Sequence, residues 1–163
     1  LLPDEISTVE AHVVPDEFHP RYHATGKLYG YRILNRRLPS PFIGRYAWHF
    51  TPDLDIGVMC EAAQILVGEH DFEAFSSSGS SVVNTVRNLR RLDIEAHGEL
   101  IEIRAEANGF LYMMVRRLVG TLTDVGRGLI SLDDVSEILR SLDRTRVKTM
   151  APPQGLSLIK VTY

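Results

Sequence analysis

The chain has 163 residues, of which 44% are hydrophobic and 24% charged, and its formal net charge is −3 at pH 7. This composition is typical of one globular domain and excludes a disordered chain. No run of residues approaches the ~20 apolar side chains that cross a bilayer, so no membrane association is predicted. The single cysteine excludes a disulfide framework and a zinc site of cysteine ligands, and it fits a reducing, cytoplasmic compartment.

The first part of the chain predicts strands followed by a helix. Alternating side chains indicate strands at 6–14, 27–35 and 46–50. An apolar stripe at helical spacing then predicts a helix over 54–67, with Asp53 or Asp55 as its N-cap and Gly68 at its end. The strand 27–35 places Tyr29 and Tyr31 on the same face.

The second part predicts a hairpin, two helices and a last strand. After a Ser/Gly-rich linker over 76–81, the pattern indicates a hairpin of 86–96 with 100–107, helices over 110–125 and 131–142, and a strand over 156–163. Ser131 and Asp134 form a capping box at the start of the third helix. Strands with helices between them predict an α+β fold, a mostly antiparallel sheet with helices on one face.

Two tyrosines and the nearby basic residues are the first functional candidates. Tyr29 and Tyr31, flanked by Arg21 and Lys27, fit a surface on which nucleic-acid bases stack, or alternatively a pair of rings packed under a helix. Of the 18 basic residues, 15 are arginine. That excess hints at phosphate contacts, and it is equally explained by the base composition of the genome.

Arg116 and Arg117 are unusual because they lie in a helix that is otherwise almost entirely apolar. Two adjacent helical positions differ by about 100°, so one arginine must lie close to the buried side. A buried guanidinium is costly without an anionic partner, so one of the two is expected to meet a carboxylate or a phosphate. The alternative is a side chain that reaches the edge of the helix.

Two further groups predict no cofactor or metal chemistry. His19 and His23 are four residues apart, but Pro20 between them argues against the helix that would align them as ligands. Cys60 lies in the first helix with no histidine placed to activate it, so it is interpreted as a structural thiol.

Five segments, in order, resemble the TruA-type tRNA pseudouridine synthases. The main one is 16–31, Asp-Glu-Phe-His-Pro-Arg-Tyr-His-Ala-Thr-Gly-Lys-Leu-Tyr-Gly-Tyr, which is similar to the Phe-His-Ala-Arg…Ala-Thr…Tyr-x-Tyr motif of that family. The others are Leu2-Pro3, the segments 66–75 and 108–116, and the segment 151–163. Each is weak alone, but together they cover the whole chain.

The resemblance implies the pseudouridine synthase fold and the isomerisation of uridine to pseudouridine at positions 38 to 40 of the tRNA anticodon arm. It implies a homodimer without cofactor or metal. Tyr29 would stack on the target base, and Arg116 would pair with the catalytic aspartate. The expected substrate-binding residues are Tyr29 and Tyr31, with a basic face drawn from Arg21, Lys27, Arg87, Arg90, Arg91 and Arg117.

Three departures from the family pattern are visible. Pro20 replaces an alanine, and Gly26-Lys27-Leu28 stands where arginines are common. The Arg-Thr-Asp-Ala-Gly segment that carries the family's nucleophile does not occur in these residues, so no nucleophile is assigned. Since the sequence also begins without methionine, we expect residues 1–163 to be the C-terminal domain of a longer chain, inactive by itself. The alternatives are a non-catalytic RNA-binding module and a protein-interaction domain whose aromatic residues are core.

Overall fold

The computed structural model of the chain describes residues 2–79 and 82–163. Within these ranges the strands are β1 (Gly26–Asn35), β2 (Trp48–Phe50), β3 (Gly68–Asp71), β4 (Val86–His97), β5 (Leu100–Ala107) and β6 (Leu156–Thr162). The helices are α1 (Ile56–Leu66), α2 (Met114–Gly126) and α3 (Leu132–Ser141). No helix of the described residues is long and apolar enough to cross a membrane.

The six strands form one sheet around β1. β1 pairs with β5 along most of its length in antiparallel orientation, and β4 and β3 follow beyond β5. On its other side, β1 pairs first with β6, antiparallel, and then with β2, in parallel. The predicted α+β class with a mixed, mostly antiparallel sheet is therefore confirmed.

The core lies on one face of this sheet. Tyr31 and Ile33 on β1 and Ile101, Ile103 and Ala105 on β5 are at most 2% exposed, and they form one apolar cluster with the inward side chains of the helices. The opposite face is polar, as in the ion pair between Arg32 and Glu102. The strict alternation along β5 is the sequence pattern that predicted this strand.

The two helix caps that the sequence predicts are confirmed. The Asp55 side chain accepts a hydrogen bond from the amide of Val58 at the start of α1. Ser131 and Asp134 make the reciprocal capping box of α3. In both places a short polar side chain satisfies an amide that the first helical turn leaves unpaired.

The second helix begins later than the pattern predicts, at Met114 instead of residue 110. Met113 has a φ of 62°, in the left-handed region, where an α-helix cannot propagate. The preceding residues 110–112 consequently form a loop. The difference matters for function, because this loop lines a pocket beside β1.

The strand predicted over 6–14 is wrong, because residues 2–25 contain no helix or strand. Val9 and Val13 are essentially fully exposed, and a strand pattern without a neighbouring strand gains no ladder of hydrogen bonds. β3 was missed, since its Gly-Glu-His-Asp sequence shows no apolar alternation. The predicted linker 76–81 lies partly outside the described residues, at Ser80 and Ser81.

Gly120 allows α2 to pack directly on the chain segment before β6, and this contact predicts a large effect on stability. A Cβ atom at this position would overlap the carbonyl oxygen of Thr149. We expect Gly120→Ala to lower the free energy of unfolding by at least about 2 kcal/mol, because backbone must move to admit the methyl group. Urea denaturation monitored by circular dichroism measures the change.

The control is Gly57→Ala in α1, whose added methyl group would meet no backbone atom and would lie 3.3 Å from Oδ1 of the Asp55 side chain. There only the Asp55 side chain must adjust, and the gain in helix propensity, up to about 1 kcal/mol, should offset that adjustment and leave stability little changed. Equal destabilisation by the two substitutions would contradict the close approach at Gly120.

Candidate active site

A pocket of about 430 Å³ opens beside the first half of β1. It is bounded by Tyr29 on β1, by Leu156 at the start of β6 and by the loop and first turn of α2 from Phe110 to Arg116. Tyr29 and Arg116 are far apart in sequence, and the fold brings them to the same pocket, as expected. The volume lies within the range of about 300–1,000 Å³ that is typical of small-ligand sites.

Tyr29 presents a partly exposed ring to this pocket. Its backbone is fixed by β5 on one side and β6 on the other, where it pairs with Ala105 and Leu158. The ring meets Phe110 in a perpendicular contact, with 5.2 Å between the ring centroids and 88° between the planes. This geometry orients the phenol ring without covering it completely.

Arg116 is held from one side. Its Nε donates a hydrogen bond of 2.6 Å to the carbonyl oxygen of Ala151, and Nη1 lies 3.2 Å from the sulfur of Met113. No carboxylate of the described residues lies within 4 Å of its guanidinium. Because Nε is engaged, the guanidinium can offer an anion its Nη1–Nη2 end, but not its Nε–Nη2 side.

Arg117 has a different environment, in the packing between α2 and the loops. It donates hydrogen bonds to the carbonyl oxygens of Ala74 and Val147 at 3.3 Å each, and to that of Arg144. Burial and the nearby Arg144 charge lower the pKa of the Arg117 guanidinium. Its partners are therefore backbone oxygens instead of the anion that the sequence predicts, and it does not line the pocket.

Tyr31 lies in the core, although it shares a sheet face with Tyr29. It is 1% exposed, and its hydroxyl donates a hydrogen bond of 2.6 Å to the carbonyl oxygen of Pro152. Burial raises the pKa of this phenol. Its ring is covered by the protein interior, so a surface of two stacked tyrosines is not formed, and Tyr29 alone of the pair faces the pocket.

The predicted basic residues divide into three groups. Arg21 is exposed and lines the pocket. Lys27 lies two residues before Tyr29 on β1. Arg87 is on β4, and its side chain lies beside Gly109, in the loop that leads to Phe110. Both residues are therefore near the pocket without lining it. Burial lowers the pKa of the Arg87 guanidinium.

Arg90 and Arg91 lie on β4 away from the lining of the pocket. Arg90 donates a hydrogen bond of 3.1 Å to the carbonyl oxygen of Thr25, just before β1. Arg91 forms an ion pair with Asp93 on the same strand. The positive charge of Arg91 is therefore already paired, whereas Arg90 holds the backbone of the residue that precedes β1.

Several lining residues were not predicted, chiefly Tyr112, Met113 and Leu156. The sequence pattern predicts the first two inside a nearly apolar helix over 110–125. The Asn108-Gly109 pair, which favours turns, is the signal that could have indicated a loop before α2.

Metal ligation finds no support in the described residues, which contain no group of three or more His, Cys, Asp or Glu placed to hold an ion. The Nδ1 atom of His19 accepts hydrogen bonds from the amides of Arg21 and Tyr22, at 3.2 and 3.3 Å. Nδ1 of His23 accepts one from the amide of His19 at 3.1 Å. These histidines organise the loop before β1.

Comparison of the sequence with known proteins identifies the family of this chain. The sequence profile described as tRNA pseudouridine synthase matches residues 62–163. The tRNA pseudouridine synthase A of Thermoanaerobacter sp. (strain X514) is 51% identical over 163 residues, which are all of this chain and 67% of that relative. The chain belongs to the tRNA pseudouridine synthase family.

More distant relatives show the same coverage. The tRNA pseudouridine synthase A 2 of Clostridium tetani is 43% identical over 162 residues, 99% of this chain and 65% of the relative. The tRNA pseudouridine synthase A of Mesorhizobium japonicum is 42% identical over 158 residues, 97% of this chain and 64% of the relative. The chain therefore spans about two thirds of the length of these proteins.

The different partners of the two adjacent arginines predict different effects on stability. Arg117→Met should lower the free energy of unfolding by about 2–4 kcal/mol, because it leaves several partly buried carbonyl oxygens without a donor. Arg116→Met, the matched substitution one residue earlier, removes one such hydrogen bond and should cost about 1 kcal/mol. Urea titrations of both variants measure the difference, and a larger loss at Arg116 would contradict these assignments.

Proposed function

We propose that this chain forms the base-holding side of a site that isomerises uridine to pseudouridine in tRNA. The observation that carries the proposal is the shared pocket, which is lined both by a partly exposed tyrosine ring and by a guanidinium that has no carboxylate partner among the described residues. Family membership supports the same chemistry. Positions 38 to 40 of the anticodon arm, the cytoplasm and a homodimer are part of the proposal through the resemblance noted above.

The reaction requires a base that has left its stack. The N1–C1′ glycosidic bond breaks, the uracil turns, a C5–C1′ bond forms, C5 loses its proton and N1 gains one, so the overall change is an isomerisation. A duplex or stacked loop must release the nucleotide before a protein group can reach C1′. Tyr29 would hold the released base, with stacking worth on the order of 1–3 kcal/mol.

Arg116 would hold the catalytic carboxylate. A guanidinium next to an aspartate lowers the pKa of that carboxyl and keeps it ionised as a nucleophile. We propose that the aspartate comes from outside residues 1–163 and that these residues form a single C-terminal domain of the synthase. Because Nε of Arg116 is bound to Ala151, the carboxylate would meet the Nη1–Nη2 end of the guanidinium.

RNA binding by the chain should depend strongly on salt. Arg21 lines the pocket with an exposed side chain, so a bound anticodon stem-loop would bring a phosphate to it and release a counterion. Arg21→Met should weaken binding and lower the slope of log K against log salt concentration by about 0.7–1. Fluorescence anisotropy with a labelled stem-loop from 50 to 300 mM salt measures both quantities.

Arg140 on α3 supplies the control, since its side chain is also exposed and it is not among the residues that line the pocket. Arg140→Met should leave the affinity and the slope close to those of the unmodified chain. An affinity that does not change with salt would contradict an RNA substrate at this site.

A chimera tests the catalytic assignment. The third of the Thermoanaerobacter relative that this chain does not match is joined to residues 1–163, and tritium release from [5-³H]uridine in an anticodon-arm substrate is measured. We expect product from the chimera and none from residues 1–163 alone, since the nucleophilic carboxylate is missing there. Arg116→Met should reduce the chimera's kcat at least 100-fold, or about 2.7 kcal/mol, as expected for a group that acts on the reacting centre.

Arg140→Met in the chimera is again the control and should keep full activity. Product from residues 1–163 alone would show that the missing-carboxylate argument is wrong. RNA binding by a chimera that forms no product would favour the alternative, a non-catalytic RNA-binding module.

A further inference from the structure

The position of the Arg116 guanidinium depends on a backbone segment that has no reactive group of its own. Ala151 is fully buried, its carbonyl oxygen accepts from Nε of Arg116, and its amide donates to the Arg116 carbonyl oxygen at 3.0 Å. The two bonds tie the side chain and the main chain of Arg116 to the same residue. A shift of Ala151 would therefore move the guanidinium within the pocket.

The segment that contains Ala151 is fixed at both ends. On the α2 side, the Thr149 hydroxyl donates a hydrogen bond of 2.9 Å to Oδ1 of Asp124, and Gly120 allows close packing against the Thr149 carbonyl. On the other side, the hydroxyl of Tyr31 donates to the carbonyl oxygen of Pro152, the residue directly after Ala151.

Tyr31 is well suited to this role. Because the residue is only 1% exposed, water does not compete for the hydrogen bond that its hydroxyl makes. Its strand, β1, is paired on both sides. A Cβ atom on Gly155 would lie 2.7 Å from Cε1 and Cζ of the Tyr31 ring, so the chain after Pro152 also follows the shape of the phenol. A phenylalanine would fill the same space in the core, and the hydroxyl is therefore not explained by packing alone.

We infer that Tyr31 is a positioning residue for Arg116: its hydroxyl fixes the Pro152 carbonyl, and thereby the neighbouring Ala151 oxygen that holds the guanidinium. Tyr29 lies two residues earlier on the same strand and face. β1 thus carries both Tyr29, whose ring is proposed to hold the base, and Tyr31, whose hydroxyl sets the position of Arg116. The catalytic meaning of this inference rests on the proposed function, whereas its geometry does not.

Tyr31→Phe tests the inference, because it removes the hydroxyl and keeps the ring. The first measurement uses residues 1–163 without any activity assay: the solvent exchange rate of the Arg116 Nε–H, followed by NMR and assigned with Arg116→Lys. We expect exchange to be roughly tenfold faster in Tyr31→Phe, as the loss of a buried hydrogen bond loosens its acceptor segment. The control is Tyr46→Phe, the same change at an exposed tyrosine outside the pocket.

The second measurement uses the chimera. Tyr31→Phe should lower kcat about tenfold with little change in the KM for tRNA, because a misplaced guanidinium affects the reacting geometry more than substrate binding. Tyr46→Phe should leave both constants unchanged. If Tyr31 had only a structural role, Tyr31→Phe would lower the free energy of unfolding without lowering kcat separately from KM.

The two measurements separate the inference from the proposed function. An inactive chimera with Tyr31 intact would overturn the proposed function, and the exchange rate would still decide the inference. Unchanged Arg116 Nε–H exchange in a folded Tyr31→Phe chain would overturn the inference whatever the activity. If Tyr31→Phe fails to fold, Thr149→Val releases the same segment at its other end, and unchanged exchange there would show that the segment does not position the guanidinium, which overturns the inference as well.

Discussion

The contact between Arg116 and Ala151 determines the shape of the candidate site. It joins the first turn of α2 to the segment that precedes β6 through one side-chain and one main-chain hydrogen bond. Leu156, which begins β6, lines the same pocket. Because helix and segment are held together, the two walls on either side of Tyr29 form one packed unit instead of two independent loops.

The two neighbouring arginines of α2 point in different directions, because adjacent helical positions differ by about 100°. One of them therefore has a structural role, and the other is available to the candidate site. Arg117 turns towards backbone carbonyl oxygens, and its Nε has no hydrogen-bond partner among the described residues. Arg116 makes one carbonyl contact, through Nε, and lines the pocket. The first arrangement connects α2 to two loops away from the pocket, whereas the second leaves donors at the pocket wall for an external anion.

The left-handed residue at the start of α2 has a comparable consequence. A non-glycine residue in this region costs on the order of 1–2 kcal/mol, and Met113 adopts it where the loop turns into the helix. A helix extended back to residue 110 would place Phe110 in a helical stripe. In the observed loop, Phe110 meets the ring of Tyr29 and Met113 contacts Arg116, so the turn brings both to the pocket.

The sequence by itself determined the elements whose pattern is local. The alternation of β1 and of the hairpin β4–β5, the stripes of α1 and α3, and the capping box at Ser131 all follow from side-chain periodicity and short-range hydrogen bonds, and the structure confirms them. Charge, burial cost and alternation pointed to the pairs Tyr29/Tyr31 and Arg116/Arg117, and the family resemblance then chose Tyr29 and Arg116. The strand that the sequence predicted over 6–14 has no neighbouring strand among the described residues, because a pattern alone does not supply a partner.

Without the family resemblance, the residue pattern left both candidate pairs open, and the tertiary structure shows why one member of each faces the pocket. Tyr29 and Tyr31 are equivalent by alternation, and the difference arises because the core covers one and leaves the other at the edge. Arg116 and Arg117 are equally unusual in an apolar helix, and their roles separate because carbonyl oxygens from distant loops converge on one of them. These distinctions depend on contacts between residues that are remote in sequence, which local periodicity cannot encode.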